Sequence, residues 1–335
     1  MSDIIEKVKG RLSIYATGGA GTNIVSTRFE KHRGKQAPGL AVVEPTYIDT
    51  SKSNMLGATL PADAVYHFQG LDGAGQVRRE HAAVVKERAK EILHKHRPGD
   101  VAVVIHSGSG GSGSVIGPIL VQELIARDTP TVVIMIGDAS TRLYAENTLN
   151  TIKSYEAIAK AASAPIVIAY LQNTQDTPRA AVDKEVEVIV IGLAALFSRE
   201  NTELDSRDLY NWLRFDKVTT FKQPMLAGLH IVANGESHDH VGNIISVATL
   251  AKAGADTTLP FMPEVRFLGL FPNDMAKDIA DKSPVHFITG DRVVYEAVAN
   301  VQKVLAHLSE EQQQRVGQKS ILAAGDRADE TGLVF

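Results

Sequence analysis

The chain has 335 residues, no cysteine, and 35 Lys and Arg against 39 Asp and Glu, a formal net charge of −4. That length holds two domains around substantial cores, and the missing cysteines exclude disulfides and zinc–thiolate sites. Mild acidity, with no basic patch interleaved with aromatics, excludes a nucleic-acid footprint.

Met1–Lys7 lacks the apolar core of a secretory signal, and no later apolar run is long enough to cross a bilayer. A cytoplasmic location without membrane partners is therefore expected. The first strand is predicted at Leu12–Ala16; it runs into Thr17-Gly-Gly-Ala-Gly-Thr-Asn23, with a helix from near Ile24. A second strand, Thr46–Asp49, ends in the polar turn Thr50–Asn54, and a glycine-rich loop at Gly70–Gly75 precedes a charged helix. His94 and His96 at the end of that helix, like His238 and His240 later, are read as solvated pairs, since no third metal ligand is spaced nearby. Val101–Ile105 reads as a buried parallel strand, Ser109-Gly-Gly-Ser-Gly-Ser114 as a loop, and Val115–Ala126 as a helix. The strand Thr131–Ile136 leads to Gly137-Asp-Ala-Ser-Thr-Arg142, and the strand Ile166–Tyr170 to Asn173-Thr-Gln175. Arg179–Ser198 reads as one long helix, whose apolar density from Val188 to Phe197 predicts burial on most sides. Beyond about residue 213 the pattern changes. Strands are expected at Leu226–Val232, Val265–Phe271 and Val285–Thr289, and helices around Val241–Ala253 and Asp291–His307. A polar helix from Glu310 thins into a tail carrying Asp326, Asp329 and Glu330 before an apolar terminus.

This order predicts an α/β fold: a doubly wound parallel-sheet unit at 1–178, a central helix at 179–200, a smaller α+β domain at 201–309, and a C-terminal helix and tail at 310–335. Three glycine-rich loops and one polar loop then converge at the carboxyl edge of one sheet. A glycine loop between a strand and a helix presents bare N–H groups at the positive end of the helix dipole, which is the physics of a phosphate site. No Gly-Lys-Ser/Thr occurs, so the Walker design is excluded. Gly108-Ser-Gly-Gly-Ser-Gly113 does match G-x-G-x-x-G, and Asp138 ends the next strand, which keeps an NAD-dependent oxidoreductase as the alternative. That reading lacks an identifiable acid or base for hydride transfer. Several glycine loops together suit a whole triphosphate better. Asp205 and Asp208, three apart at a helix start, lie on one face, where they polarise a water or hold hydrated Mg²⁺, or simply cap the helix.

Taken together, these segments resemble the tubulin/FtsZ superfamily, most closely the phage-encoded tubulins (the PhuZ family). The signature loop is Ser109-Gly-Gly-Ser-Gly-Ser114 followed by Pro118, with Ser109 where the family usually has glycine. Gly18–Asn23, Asn173-Thr-Gln175 and Leu204–Trp212 follow the family order, over residues 12 to 231. The resemblance implies binding of GTP or GDP with Mg²⁺, and no resident metal site of the protein's own. The implied contacts are Gly18, Gly19, Ala20, Gly21, Thr22, Asn23, Asp49, Gly73, Ala74 and Gly75, with the loop Ser109, Gly110, Gly111, Ser112, Gly113 and Ser114. Asp138, Ser140, Glu146 or Asn147 would meet the ribose, and Asn173 the base or ribose. Asp183 would meet the guanine, although Lys184 aligns about as well. The resemblance also implies a head-to-tail homopolymer in which Asp205 and Asp208 of one subunit complete the catalytic site of the next, Asp208 orienting water. The tail, which on residues alone reads equally as a frayed end, would dock on the neighbouring subunit. Dynamic filaments positioning phage DNA in the infected bacterial cytoplasm are the expected role.

Overall fold

Runs such as Val101-Ala-Val-Val-Ile105, buried on both faces, belong to strands of a parallel sheet covered by helices on each side. The computed structural model describes residues 8–56, 59–79, 81–174, 176–232, 243–259, 261–272, 284–290 and 292–316. In chain order its first half comprises β1 (Arg11–Thr17), α1 (Gly18–Arg28), β2 (Val42–Asp49), α2 (Ser53–Leu56), β3 (Val65–His67) and α3 (Ala82–Lys95). Then come β4 (Val101–Ser107), α4 (Gly113–Ala126), β5 (Thr131–Asp138), α5 (Arg142–Ala162), β6 (Ile166–Asn173) and α6 (Arg179–Leu196). The second half has α7 (Ser206–Leu213), β7 (Leu226–Val232), β8 (Ile244–Ala251), β9 (Val265–Leu270), β10 (Val285–Thr289) and α8 (Arg292–Val316).

These strands form one sheet in the order β3-β2-β1-β4-β5-β6-β7-β10-β8-β9, mixed because β10 runs antiparallel to both its neighbours. The first six strands have the doubly wound order, whose direction of winding reverses between β1 and β4. Alternate residues feed two cores. Leu12, Ile14 and Val103 pack with Val186, Leu193 and Trp212 on the α6 face, while Tyr15 and Val104 pack with Ile92, Leu120 and Tyr155 on the other. At the junction of the halves, β6 and β7 are paired only at Ile166↔Leu226, Val167↔Ala227 and Ile168↔Gly228. Both strands continue beyond that register but part, around a small cavity of about 190 Å³.

Three expected elements are corrected. Helix α1 starts at Gly18 rather than near Ile24, so the first glycine segment is itself the opening turn of the helix. The helix expected around Val241–Ala253 is, within the described residues, strand β8. Its Ile, Val and Thr side chains suit a pleated surface, and every residue from Ile245 to Ala251 is buried, so no polar face marks a period. The expected break between a helix ending at His307 and another starting at Glu310 is absent, because α8 is continuous to Val316. The short edge strand β3 had no alternation long enough to reveal it. Gln175, His238, His240 and the acidic tail lie outside the described residues.

His96 is half-buried rather than solvated. Burial pushes His96, His106 and His286 each down to about 4. In the unfolded chain these rings titrate near 6.5, so below that pH the unfolded state binds protons that the folded state refuses. Stability therefore falls as pH drops from about 6.5 toward 4. The urea midpoint is expected to decline between about pH 7 and pH 5, before most carboxylates protonate. A midpoint flat over that window would show the rings to be charged or absent from the balance.

Candidate functional site

The carboxyl ends of β1 and β4 lie side by side, with Thr17 opposite His106. From Thr17 the chain turns directly into α1 through Gly18, whose φ of +71° is open to glycine. A Cβ on Gly18 would stand 2.6 Å from Gly113 N, and one on Gly113 would stand 2.8 Å from Thr17 O. The N-termini of α1 and α4 thus meet backbone against backbone. Each brings first-turn N–H groups without intrahelical partners, and together they make a doubled positive cradle for an anion. Above them opens a cavity of about 540 Å³, within the range of nucleotide-sized ligands.

Of the expected contacts, Gly18, Gly19, Ala20 and Asn23 line this cavity from α1, and Gly73, Ala74 and Gly75 from the loop after β3. Ser109, Gly110, Gly111, Ser112 and Gly113 form its floor, and Asp138, Asn173 and Asp183 line its other end. Gly110 faces open space, with no atom within 4 Å of a Cβ built there.

The other expected residues do not line the cavity. Gly21 lets α1 approach β4, since a Cβ would fall 2.4 Å from Ile105 O, and Thr22 is buried beside it. Asp49 is fully buried; its Oδ1 accepts from the N–H groups of Thr50 at 2.7 Å and Ser51 at 3.2 Å. Its Oδ2 accepts from Asn54 Nδ2 at 2.7 Å, so it shapes the turn that carries Ser51 and Asn54 to the cavity. Ser114 Oγ donates to Gly111 O at 2.9 Å and holds the glycine loop closed. Ser140 donates from both N and Oγ to Asp138 Oδ1, at 2.8 and 2.6 Å, orienting that carboxylate. Asn147 is buried, with its amide donating to Gln76 O and Ser109 O.

At the end opposite the cradle, Ile136 and Val182 supply apolar wall, while Asn173 Oδ1 and Asp183 Oδ1 are buried acceptors with no donor. Burial raises the Asp183 carboxyl pKa, opposed by the charges of Arg28 and Arg179. The neighbouring Lys184 is exposed and does not line the cavity. Two orphaned acceptors beside an apolar wall fit a flat base that offers adjacent N–H donors. Sequence reading missed Ser51, Asn54, Gln76, Tyr144 and Arg179 on the lining. The polar turn Thr50–Asn54 was the available signal for the first two.

Asp205 and Asp208 lie far from this cavity. Asp205 caps α7, accepting from Arg207 N at 2.7 Å and Asp208 N at 2.9 Å, while Asp208 Oδ2 accepts from Asp205 N at 3.1 Å. This is a reciprocal capping box. Two helices measure the separation. α6 begins at the cavity and its 18 residues, roughly 27 Å at 1.5 Å each, end where Ser198 O accepts from Gly10 N at the start of β1. α4 likewise begins at the cavity and ends next to Asp128, whose carboxylate accepts from Tyr210 Oη and Arg214 Nη1 of the α7 segment. Among the described residues no group of three or more His, Asp or Glu side chains could hold a metal ion.

No family model matches the chain. It is 30% identical over 332 residues to the phage tubulin-like protein of Pseudomonas phage PhiPA3, covering 98% of this chain and 100% of that relative. It is 26% identical over 361 residues to the phage tubulin-like protein of Pseudomonas phage phiKZ, covering 99% and 100%. Its fold superposes on a protofilament of TubZ from bacteriophage PhiKZ with TM-score 0.81 and 25% identity, covering 97% of this chain and 99% of that one. The fold also matches a GDP-bound phage tubulin, PhuZ, with TM-score 0.83 and 24% identity over 97% and 99% of the two chains. With a relative matched end to end at 30% identity and a fold shared with the phage TubZ protofilament, this chain belongs to the phage tubulin-like proteins of the tubulin/FtsZ superfamily.

Proposed function

We propose that this chain is a GTPase that stacks head to tail with copies of itself and hydrolyses GTP where two subunits meet. One observation carries the reading: the phosphate cradle and the acidic pair sit at opposite ends of α6 and α4, so a single subunit holds two half-sites. Stacking brings the acids of one copy over the cradle of the next. A relative solved as a protofilament and another solved with GDP support self-assembly and guanine-nucleotide binding.

In this site the N–H groups of the α1 and α4 first turns and the Ser109–Gly113 loop hold the phosphates. The Asp138 carboxylate, oriented by Ser140, meets the ribose hydroxyls. Mg²⁺ would be held by phosphate oxygens, water and the neutral side chains of Ser51, Asn54 and Ser112, and when bound it offsets phosphate charge. Asp208 of the next subunit orients a water whose oxygen attacks the terminal phosphorus while the bond to the bridging oxygen breaks, giving GDP and phosphate. Asp205 fixes Asp208 through the capping box. The unit at 1–178 binds nucleotide, and the helix at 179–200 joins it to the unit at 201–309. The segment 310–335 would serve polymer contacts. The setting in this reading is the host bacterial cytoplasm, with phage DNA as cargo. A hydride-transferring enzyme finds no support among the relatives.

Asp183 and Asn173 accept from the guanine N1–H and N2–H₂, a donor pair adenine lacks. Asp183→Ala is expected to weaken GTP binding by about 10- to 100-fold and ATP binding far less, as read by fluorescent-nucleotide titration. Equal losses for both nucleotides would place the base elsewhere. The function itself is tested by light scattering with GTP, GDP, ATP or NAD while phosphate release is followed in the same cuvette. GTP-specific scattering above a critical protein concentration, decaying as phosphate appears, is expected. A flat trace with GTP at high protein concentration would discard the polymer mechanism.

A further inference from the structure

The loop from Gly73 to Arg79 lies on the glycine loop in an uncommon backbone shape. Gly73, Gly75 and Gln76 have φ of 78°, 50° and 65°, the last without the freedom of glycine. A Cβ on Gly111 would stand 2.8 Å from Ala74 Cβ and 3.0 Å from Gln76 Cα and N, so the two loops touch with no room between them.

Two side chains that do not line the cavity fasten this contact. Asn147, one turn into α5, donates from Nδ2 to Gln76 O at 3.1 Å and to Ser109 O at 3.0 Å. Both partners are carbonyls, so the amide nitrogen must face them. Arg78 Nη2 donates to Ser114 O at 3.0 Å and contacts Ser154 Oγ at 3.1 Å. Ser114 O is open to this bond because the residue four further on is Pro118, which has no N–H to offer it. A proline inside α4 thus leaves an acceptor that the arginine takes up.

We propose that Asn147 and Arg78 are positioning residues that latch the 73–79 loop to the phosphate loop, so that a nucleotide filling the pocket orders both loops as one unit. This rests on the nucleotide reading of the site. A side chain with a merely structural role would lower stability when removed but leave the loop responsive to ligand. A latch, once removed, leaves binding and uncouples the loop from it.

The test uses the full-length protein and GDP, which fills the pocket without driving hydrolysis. Trypsin cleavage after Arg79, exposed on this loop, reads loop order; fluorescent-GDP titration reads the pocket, and thermal unfolding reads the fold. In the wild type, saturating GDP is expected to slow that cleavage about 10-fold. Asn147→Asp turns a donor into an acceptor facing two carbonyls. It should cut the protection to about 2-fold or less while the GDP Kd stays within about 3-fold. Arg78→Gln should behave alike, keeps Arg79 as the cleavage site, and carries the test if the first variant does not fold. In both, GTP turnover should fall through kcat with KM little changed. Wild-type-like protection of Arg79 in these variants overturns the latch, as does a wild type that binds GDP without protection. A wild type that binds no guanine nucleotide overturns the nucleotide reading as well, and the titration tells these failures apart.

Discussion

Asp208→Asn protein is expected to assemble with GTP into filaments that persist, while phosphate release falls by about 100-fold or more. Asparagine keeps an oxygen that can accept from Asp205 N–H, the bond present at 3.1 Å, so the capping box and the start of α7 survive. What disappears is the negative charge. A loss of turnover with intact α7 therefore separates chemistry from capping, which alanine would not do. Asp205→Ala is the harsher change, since Asp205 Oδ1 accepts two N–H groups, and losing an N-cap costs about 1 kcal/mol. Phosphate release and sedimentation on the same Asp208→Asn sample decide the matter. Wild-type turnover would leave Asp208 as a cap and nothing more.

Gly110→Ala is expected to leave the thermal midpoint in place and to weaken nucleotide binding by about 100-fold or more. The added methyl meets no protein atom within 4 Å, yet it stands on the cavity floor between two helix N-termini, where only a ligand can collide with it. Gly18→Ala makes the contrast. There the backbone is left-handed and the methyl would press on Gly113 N at 2.6 Å, so both fold and binding suffer, at a cost of about 1–3 kcal/mol. Normal GTP affinity in the Gly110 variant would mean that the phosphates do not lie across that loop.

The anion cradle was legible from residues because its physics is local: a strand, glycines, then an amphipathic or buried helix, each visible within about ten residues. The capping of α7 by Asp205 and Asp208 was legible for the same reason. What escaped was set by contacts between distant segments. Asn147 was grouped with ribose candidates because its position in sequence follows β5, yet α5 turns it toward two carbonyls beneath the loops. Gln76 and Tyr144, 68 residues apart, meet at 3.3 Å on the cavity rim, a juxtaposition no window of sequence contains. Arg78 matters only because Pro118 leaves a carbonyl open, a relation between loop and helix that reads as noise in either alone. β8 misled for the opposite reason, since total burial erased the period that separates strand from helix.

The parting of β6 and β7 after three registered pairs has a consequence for how the sheet comes undone. Edges that face a gap rather than a neighbour lack one row of ladder bonds, so their amides should exchange with solvent through small openings, well before those of β4 between two full partners. The first crack therefore runs along this seam, between Ala169–Leu171 and Leu229–Ile231, with α6 bridging it on the core side. Asn173 ends β6 two residues past Leu171, and Asp183 precedes Glu185 of α6 by two residues, Leu171 and Glu185 both lining the gap. A base held between them would act as a stitch, slowing exchange along a strand boundary it does not itself touch.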